Sequence, residues 1–322
     1  MTQESPQDLP GIAIVAPGGY APDSEALARA IEDLRARGHR VHCAYTPQSR
    51  YQRFGGSDEA RLAQLHQAAR DPDIQIILAL RGGYGSSRLL DAVDYELLAA
   101  SGKLLVGHSD ITALQLALLA RTGATSFAGP MLCDDFTRED RSDYTMRQFW
   151  QCLRGPRHEV AWESPDQAAL EVEGVLWGGN LAMLAHLAGT PYMPRVAGGI
   201  LFLEDVNEHP YRVERMLLQL KYAGILEQQQ ALVLGDFGQV RLTEYENGYG
   251  PQAMLDYLRQ ALPLPIVTGL PFGHIRDKAS LAVGARARLV CGQGQATLSM
   301  WDYACLAQGR AGTAGAAGTT LA

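Results

Sequence analysis

Ser109 lies where the sequence predicts that a buried strand turns into a helix. The strand is Lys103-Leu104-Leu105-Val106, and the mostly apolar helix covers residues 111–119. A serine at such a turn stands at the carboxyl edge of a sheet. The first backbone N–H groups of the helix have no partner within it and face the same space, where they can stabilise negative charge. Ser109 is therefore a candidate nucleophile.

The same turn has a second interpretation, in which Ser109 or Asp110 only caps the helix. The segment Gly107-His108-Ser109-Asp110-Ile111 is close to the Gly-x-Ser-x-Gly turn of hydrolases, but Ile111 stands where that pattern has its second glycine. A nucleophilic serine also needs a base, an acid that orients the base, and donors for the oxyanion. The decision between the two interpretations depends on finding those groups elsewhere.

The candidate bases are loop histidines at the ends of predicted elements. His274 follows an apolar strand and stands beside Gly273, which favours it over His209. His108 is adjacent to Ser109, and neighbouring side chains at a tight turn usually diverge. The other histidines lie in helices, in the first strand–helix units or in a polar connection: His39, His42, His66, His158 and His186.

The candidate acids are Glu204 and Asp205, which follow the buried strand of residues 199–203. That position suits an acid that orients a histidine, although acids at strand ends are also routine helix caps. A metal site is not predicted, because His39-x-x-His42 has no nearby acid or cysteine and no His-Glu-x-x-His motif occurs. No cofactor is expected.

A glycine-rich loop, Arg81-Gly82-Gly83-Tyr84-Gly85, follows the apolar strand of residues 74–80. Strand and helix patterns alternate through the first half of the chain, which predicts a doubly wound α/β fold with a parallel sheet. Both this loop and Ser109 then lie at the carboxyl ends of the strands. The loop matches neither nucleotide fingerprint, so it is either an oxyanion loop or simply a tight turn.

Two domains are expected from a chain of 322 residues. The boundaries predicted from composition are a nucleophile domain at 1–155, a polar linker at 156–173, a C-terminal domain with the acid and histidine at 174–308, and a disordered Gly/Ala tail at 309–322. Residues 281–283 and 285–290, on either side of Gly284, are predicted to pair as β-strands.

Composition narrows the class of function. The net charge is -7 and there is no basic block, so nucleic-acid binding is not expected. We find no targeting segment and no apolar run of membrane-spanning length, which predicts a cytoplasmic protein without membrane contact. The five cysteines are widely spaced and contain no CxxC pair, so they are expected to be reduced.

Five motifs together resemble the serine LD-carboxypeptidase family over residues 11–300. Besides the glycine-rich loop they are Gly107-His108-Ser109-Asp110-Ile111-Thr112-Ala113-Leu114, Trp177-Gly178-Gly179-Asn180-Leu181, Leu203-Glu204-Asp205-Val206-Asn207-Glu208-His209-Pro210 and Phe272-Gly273-His274.

The resemblance implies a flavodoxin-like first domain, a smaller β-rich second domain and a homodimer. It also implies a catalytic triad of Ser109, His274 and Glu204, with an oxyanion hole from the backbone N–H groups of Asp110, Gly82 and Gly83. The implied activity is release of the terminal D-alanine from murein tetrapeptides during cell-wall recycling.

Two other functions stay open at this stage. One is a peptidase of the microcin-C immunity type that cleaves aminoacyl-nucleotides, in which Trp177 would stack on a base or else belong to the core. The other is a catalytically silent ligand-binding module. The loop after His274 departs from the family pattern, and Arg276 or Lys278 there could supply a cation for an anionic substrate.

Overall fold

A computed structural model describes residues 9–166 and 168–307 of the chain. The predicted disordered tail, 309–322, lies outside the described residues. The strands are β1 Ile12–Val15, β2 Val41–Cys43, β3 Ile76–Ala79, β4 Leu104–Gly107, β5 Ser126–Ala128, β6 Arg157–Glu163, β7 Leu170–Asn180, β8 Gly199–Glu204, β9 Gln229–Leu234, β10 Ile266–Thr268, β11 Leu281–Val283, β12 Arg286–Gly292 and β13 Gln295–Trp301. The α-helices are α1 Ser24–Ala36, α2 Asp58–Arg70, α3 Tyr95–Ala100, α4 Thr112–Thr122, α5 Asp143–Arg154, α6 Leu181–Leu187, α7 Pro210–Tyr222 and α8 Pro251–Ala261.

The first sheet has the order β11-β5-β4-β3-β1-β2. Strands β1 to β5 are parallel and lie in the order 2-1-3-4-5, which is the flavodoxin-like arrangement. The predicted doubly wound fold is confirmed. Strands β1, β3 and β4 are buried at every position, as expected for strands covered by helices on both faces.

The second sheet has the order β10-β9-β8-β7-β12-β13-β6. Strands β7 to β10 are parallel, whereas β12, β13 and β6 form an antiparallel extension on the long strand β7. Burial follows this division: β8 is buried throughout, and β6 alternates between exposed and buried residues. The second half of the chain is thus β-rich with helices, as the family resemblance implied.

Two expectations about local structure are wrong. Residues 156–173, predicted as a polar linker, contain β6 and the beginning of β7, because alternate polar residues there lie on the solvent-facing side of an antiparallel sheet. The predicted β pair around Gly284 also does not form. Strand β11 pairs antiparallel with β5 of the first sheet, while β12 pairs with β7 and β13 of the second.

The two sheets share one continuous core of buried apolar residues. Helix α4, which follows Ser109, packs against α6 and β7, and β11 returns from the second half of the chain to the edge of the first sheet. The carboxyl ends of β4 and β8 therefore keep a fixed relation to one another. Within residues 9–166 and 168–307, no helix has both the length and the apolar composition needed to cross a bilayer.

Candidate active site

Ser109 occupies a backbone conformation that is unusual for a residue with a side chain. Its φ is 62°, and it begins a short 3-10 helix, Ser109–Ile111, directly after β4. Such conformations persist where the surrounding structure enforces them, often at functional sites. Neither the hydroxyl of Ser109 nor the carboxylate of Asp110 caps the helix, so the capping interpretation is not supported.

The Gly82 loop lies against Ser109, as the sequence predicted. A Cβ atom on Gly82 would stand 2.8 Å from the Cβ of Ser109, 2.9 Å from its Oγ and 3.4 Å from the backbone nitrogen of Asp110. Only glycine leaves that space free for a substrate atom. The carbonyl of Gly82 accepts a hydrogen bond of 2.8 Å from Gly19. Its own N–H and that of Gly83 donate to no other group in the described part of the chain.

A buried arginine that sequence analysis missed supports this loop. Arg61 of α2 is fully buried and donates from Nη1 to the carbonyl oxygens of Pro17 and Gly85, the latter at 3.0 Å. Its Nη2 donates to Asp58 at 2.6 Å. A charged residue on a helix normally indicates a surface position, so the sequence carries no signal for this contact.

Asp110 holds the other end of the glycine loop. Its Oδ2 accepts the backbone N–H of Ser86 at 2.8 Å, and burial raises the pKa of this carboxyl group despite that hydrogen bond. The side chain of Asp110 thus points away from Ser109 and towards the loop. Its backbone N–H lies in the first turn of the 3-10 helix, where no intrahelical acceptor exists.

His274 and Glu204 are joined by a hydrogen bond of 2.8 Å between Nδ1 and Oε2. Glu204 is fully buried at the end of β8, whereas the His274 side chain is 24% exposed. A carboxylate only accepts, so Nδ1 carries the proton and Nε2 is left as an acceptor. Burial lowers the pKa of His274, but the hydrogen bond and charge of Glu204 outweigh it, and the pKa is raised from its ordinary value.

Asn180, at the end of β7, fixes the position of both acids. Its Nδ2 donates to Glu204 Oε1 at 3.1 Å and to Asp205 Oδ1 at 3.0 Å. Asp205 makes no hydrogen bond to His274 among the described residues, and it accepts the backbone N–H groups of Ala182 and Val206. The two candidate acids therefore have different partners. Glu204 is hydrogen-bonded to the histidine, whereas Asp205 caps the N-terminus of α6.

The two halves of the site meet beside Ser109. The rings of His108 and His274 lie 5.1 Å apart in an edge-on contact, and the backbone N–H of Asn180 donates to Thr112 Oγ1 at 3.1 Å. No hydrogen bond joins Ser109 to His274 among the described residues. Catalytic hydrogen bonds are often long before substrate binds, so the arrangement still matches a nucleophile, a base and an orienting acid.

Comparison with known proteins decides the family. Family models described as the LD-carboxypeptidase N-terminal and C-terminal domains match residues 12–129 and 173–289. The chain belongs to the LD-carboxypeptidase family. A solved muramoyltetrapeptide carboxypeptidase from Oxalobacter formigenes is 53% identical, with a TM-score of 0.87 over 91% of this chain and 99% of that one.

Two further comparisons add a curated relative and a second solved structure. The murein tetrapeptide carboxypeptidase of Pseudomonas aeruginosa is 34% identical over 86% of this chain and 92% of its own length. The immunity protein MccF, solved with glutamyl sulfamoyl guanosine, has a TM-score of 0.82 over 92% of this chain and 97% of that one. Its identity is 22%, so the likeness to MccF concerns the fold alone.

Other candidate residues of this LD-carboxypeptidase have different surroundings. His108 is fully buried, and burial, followed by the charge of Lys278, holds its pKa well below the ordinary value. His209 stands 3.8 Å from Glu246, away from the His274–Glu204 pair. Trp177 is fully buried and donates to Gln229 at 2.8 Å, so it belongs to the core.

The two cations after His274 are both occupied. Lys278 is buried and paired with Asp135 at 2.7 Å, and Arg276 lies on the surface against Asp140 and Asp277. Neither is free for an anionic substrate in this LD-carboxypeptidase. Over the described ranges, no group of three or more histidine, cysteine or acidic side chains is arranged to hold a metal ion.

Proposed function

We propose that this LD-carboxypeptidase is a serine enzyme that releases the terminal D-alanine from murein tetrapeptides. The bond cleaved joins the L-centre of diaminopimelate to D-alanine. The observation that carries the proposal is the hydrogen bond between His274 and Glu204, formed next to the Ser109 turn and the Gly82 loop. The names of the two carboxypeptidase relatives support the choice of substrate.

In the proposed reaction, Ser109 Oγ attacks the carbonyl carbon while Nε2 of His274 takes its proton. Glu204 stabilises the resulting imidazolium through Nδ1–H. The backbone N–H groups of Asp110 and of Gly82 and Gly83 are the proposed donors to the oxyanion. His274 then protonates the leaving amine of D-alanine, and water, activated by the same imidazole, hydrolyses the acyl-enzyme. In this second step the imidazole takes a proton from the water and returns it to Ser109 Oγ as the acyl bond breaks, which regenerates the free enzyme.

We further propose that Arg81 binds the terminal carboxylate of the substrate. A buried carboxylate needs a cation or several N–H donors. Arg81 is half-buried, directly precedes Gly82, and has no hydrogen-bond or ion-pair partner among the described residues. The nearby Arg61 and Lys278 are already held by other groups. Arg81 is therefore a cation, within the described part of the chain, that has the capacity to bind an anion beside Gly82.

The test compares L-Ala-γ-D-Glu-meso-diaminopimelate-D-Ala with the same peptide amidated at its terminal carboxylate. The parent enzyme should release D-alanine from the acid, with kcat/KM reduced roughly a hundredfold for the amide. Arg81→Gln should lose a similar factor on the acid and little on the amide. Equal losses on both would refute the assignment of Arg81, and an inert tetrapeptide would refute the proposed substrate.

The alternative substrates are tested in the same assay. An aminoacyl sulfamoyl-adenosine represents the immunity-type activity, which the buried Trp177 does not favour because its indole is not available to stack on a base. Efficient hydrolysis of that compound with an inert tetrapeptide would replace the carboxypeptidase proposal. Binding of tetrapeptide without turnover would indicate a silent module.

We also propose that the enzyme acts in the cytoplasm in murein recycling, as a homodimer with one nucleophile domain and one acid–histidine domain in each chain. Cells lacking the gene should accumulate free tetrapeptide, and fractionation should find the protein in the cytoplasm. Light scattering of the purified protein should give twice the chain mass. A mass equal to that of one chain would refute the homodimer.

A further inference from the structure

Beside the proposed triad lies a buried ion pair whose two residues come from different halves of the fold. We propose that Lys278 and Asp135 are positioning residues: they fasten the loop that carries His274 to the half that carries Ser109, and they set the charge around its imidazole. This inference rests on the proposed role of His274 as the base.

The pair is almost completely enclosed. Lys278 Nζ lies 2.7 Å from Asp135 Oδ1, and the two side chains are 3% and 1% exposed. Asp135 belongs to the irregular turn Leu132–Phe136 that follows β5, and its Oδ2 accepts the backbone N–H of Met131 at 2.9 Å. Both oxygens of the carboxylate are thus engaged, and its position is fixed within the first half of the molecule.

The loop on the other side is closed and anchored at its base. Residues 271–279 are joined by a hydrogen bond of 2.7 Å from Ala279 N–H to the carbonyl of Pro271, and His274 lies within this loop. The N–H of Lys278 donates to Thr145 Oγ1 at 2.9 Å, and that hydroxyl donates to the carbonyl of Arg276 at 2.8 Å. The side chain and backbone of Lys278 therefore both attach the loop to the first half.

The charges facing His274 explain why a cation is useful there. Glu204 and Asp205 at the end of β8 raise its pKa, against the effect of burial, and Lys278 lowers it. His108 faces the same ring from the turn after β4, and Asp236 packs against Gly273 from the loop after β9. Without Lys278 the charges of Glu204 and Asp205 would act on the imidazole without the cation that opposes them, which favours the protonated form that cannot act as a base.

Stability alone is a poor explanation for the pair. A buried ion pair gains little over well-packed apolar residues, because both ions lose their hydration. An apolar contact between the same two positions would also hold the loop, but it would not oppose the negative charge of Glu204. The lysine therefore supplies a positive charge near His274, which packing alone would not supply.

The test measures the pH dependence of kcat/KM for D-alanine release in two variants and a control. The single variant Lys278→Met removes the cation. The double variant, with Asp135→Asn and Lys278→Gln, keeps a polar contact between the two positions but carries no charge. Both should move the acid limb to higher pH by about half a unit or more, so the loss is about threefold greater at low pH than on the plateau. Lys103→Met is the matched control. Lys103 is a half-buried lysine whose Nζ donates to the backbone carbonyl of Asp71, and it lies at the amino end of β4, away from the carboxyl ends that form the site.

A loss of kcat/KM that is equal at all pH values would overturn the electrostatic part of the proposal, and unchanged kinetics in both variants would overturn it entirely. The double variant keeps the test valid if Lys278→Met does not fold. A second readout does not need turnover: the pKa of His274, followed by NMR in the Ser109→Ala background, should rise when Lys278 is replaced. If the parent is inert towards tetrapeptide while this pKa still rises, the proposed substrate fails and the role of the ion pair stands.

Discussion

Replacing Glu204 by glutamine should leave the fold intact and place the proton of His274 on the wrong nitrogen. Asn180 Nδ2 donates to Glu204 Oε1, and its Oδ1 accepts the N–H of Met183, so its amide cannot turn over without losing several hydrogen bonds. A glutamine at position 204 must therefore present its oxygen to Asn180 and its NH₂ to Nδ1 of His274. The imidazole then carries its proton on Nε2, where it cannot accept one from Ser109.

The expected loss is large because it combines the wrong tautomer with the missing charge. In a serine protease the comparable change lowers kcat by about four orders of magnitude, equivalent to about 5 kcal/mol of transition-state stabilisation. The assay is D-alanine release under saturating tetrapeptide, with thermal unfolding as the control for folding. A variant within tenfold of the parent, with the same pH profile, would refute the assignment of Glu204.

A second substitution tests the reason given for that loss. Asn180→Ala removes the donor that forces the orientation of the introduced glutamine, so this side chain could turn its oxygen towards Nδ1 of His274. In the Glu204→Gln background, Asn180→Ala should raise kcat about tenfold or more. In the parent enzyme the same substitution should lower activity, because Glu204 and Asp205 lose the hydrogen bonds that Asn180 donates to them. Additive losses in the double variant would show that the tautomer is not the cause.

Four other outcomes follow from the site. Ser109→Ala should fold normally and lose activity by about a million-fold, as measured by D-alanine release. Because the pKa of His274 is raised and the base acts unprotonated, the acid limb of kcat/KM should lie above the ordinary histidine value of about 6.5; a limb below it would contradict this. Gly82→Ala, whose methyl would stand 2.8 Å from Ser109 Cβ, should cut kcat about a hundredfold or more with a modest fall in melting temperature. EDTA should leave the rate unchanged, and inhibition reversed by zinc would require a metal site.

The first sheet could be predicted because its information is local. Apolar runs such as β3 and β4, separated by helices with clear ends, indicate parallel strands in a layered fold. The second sheet was harder because pairing partners are distant in sequence. Gly284 suggested a hairpin, yet β11 joins β5 from the other half of the chain, and only the packed structure determines that choice.

The site shows the same division between local and tertiary information. Ser109 and Gly82 were identified because a strand end and a glycine loop leave a local pattern. His274 and the acids Glu204 and Asp205 were candidates from their places at strand ends, and the family resemblance selected His274 and Glu204. Arg61, Asn180 and Asp135 were not assigned roles, since their importance lies in contacts to residues far along the chain. A buried charge is visible in a sequence only as a charged residue, and most of those lie on the surface.

The burial of Glu204 connects folding with the proposed chemistry. A carboxylate at the closed end of β8 has no water to solvate it, so its stability depends on donors from the protein. Asn180 donates one hydrogen bond to the carboxylate and His274 donates the other. Glu204 can therefore be buried as a carboxylate only when the imidazole is oriented to donate to it. An exposed glutamate could hold the same histidine only loosely, because water would compete for both partners. The apolar strand end thus fixes the tautomer of His274 before any substrate arrives, and the energy for this preorganisation comes from folding.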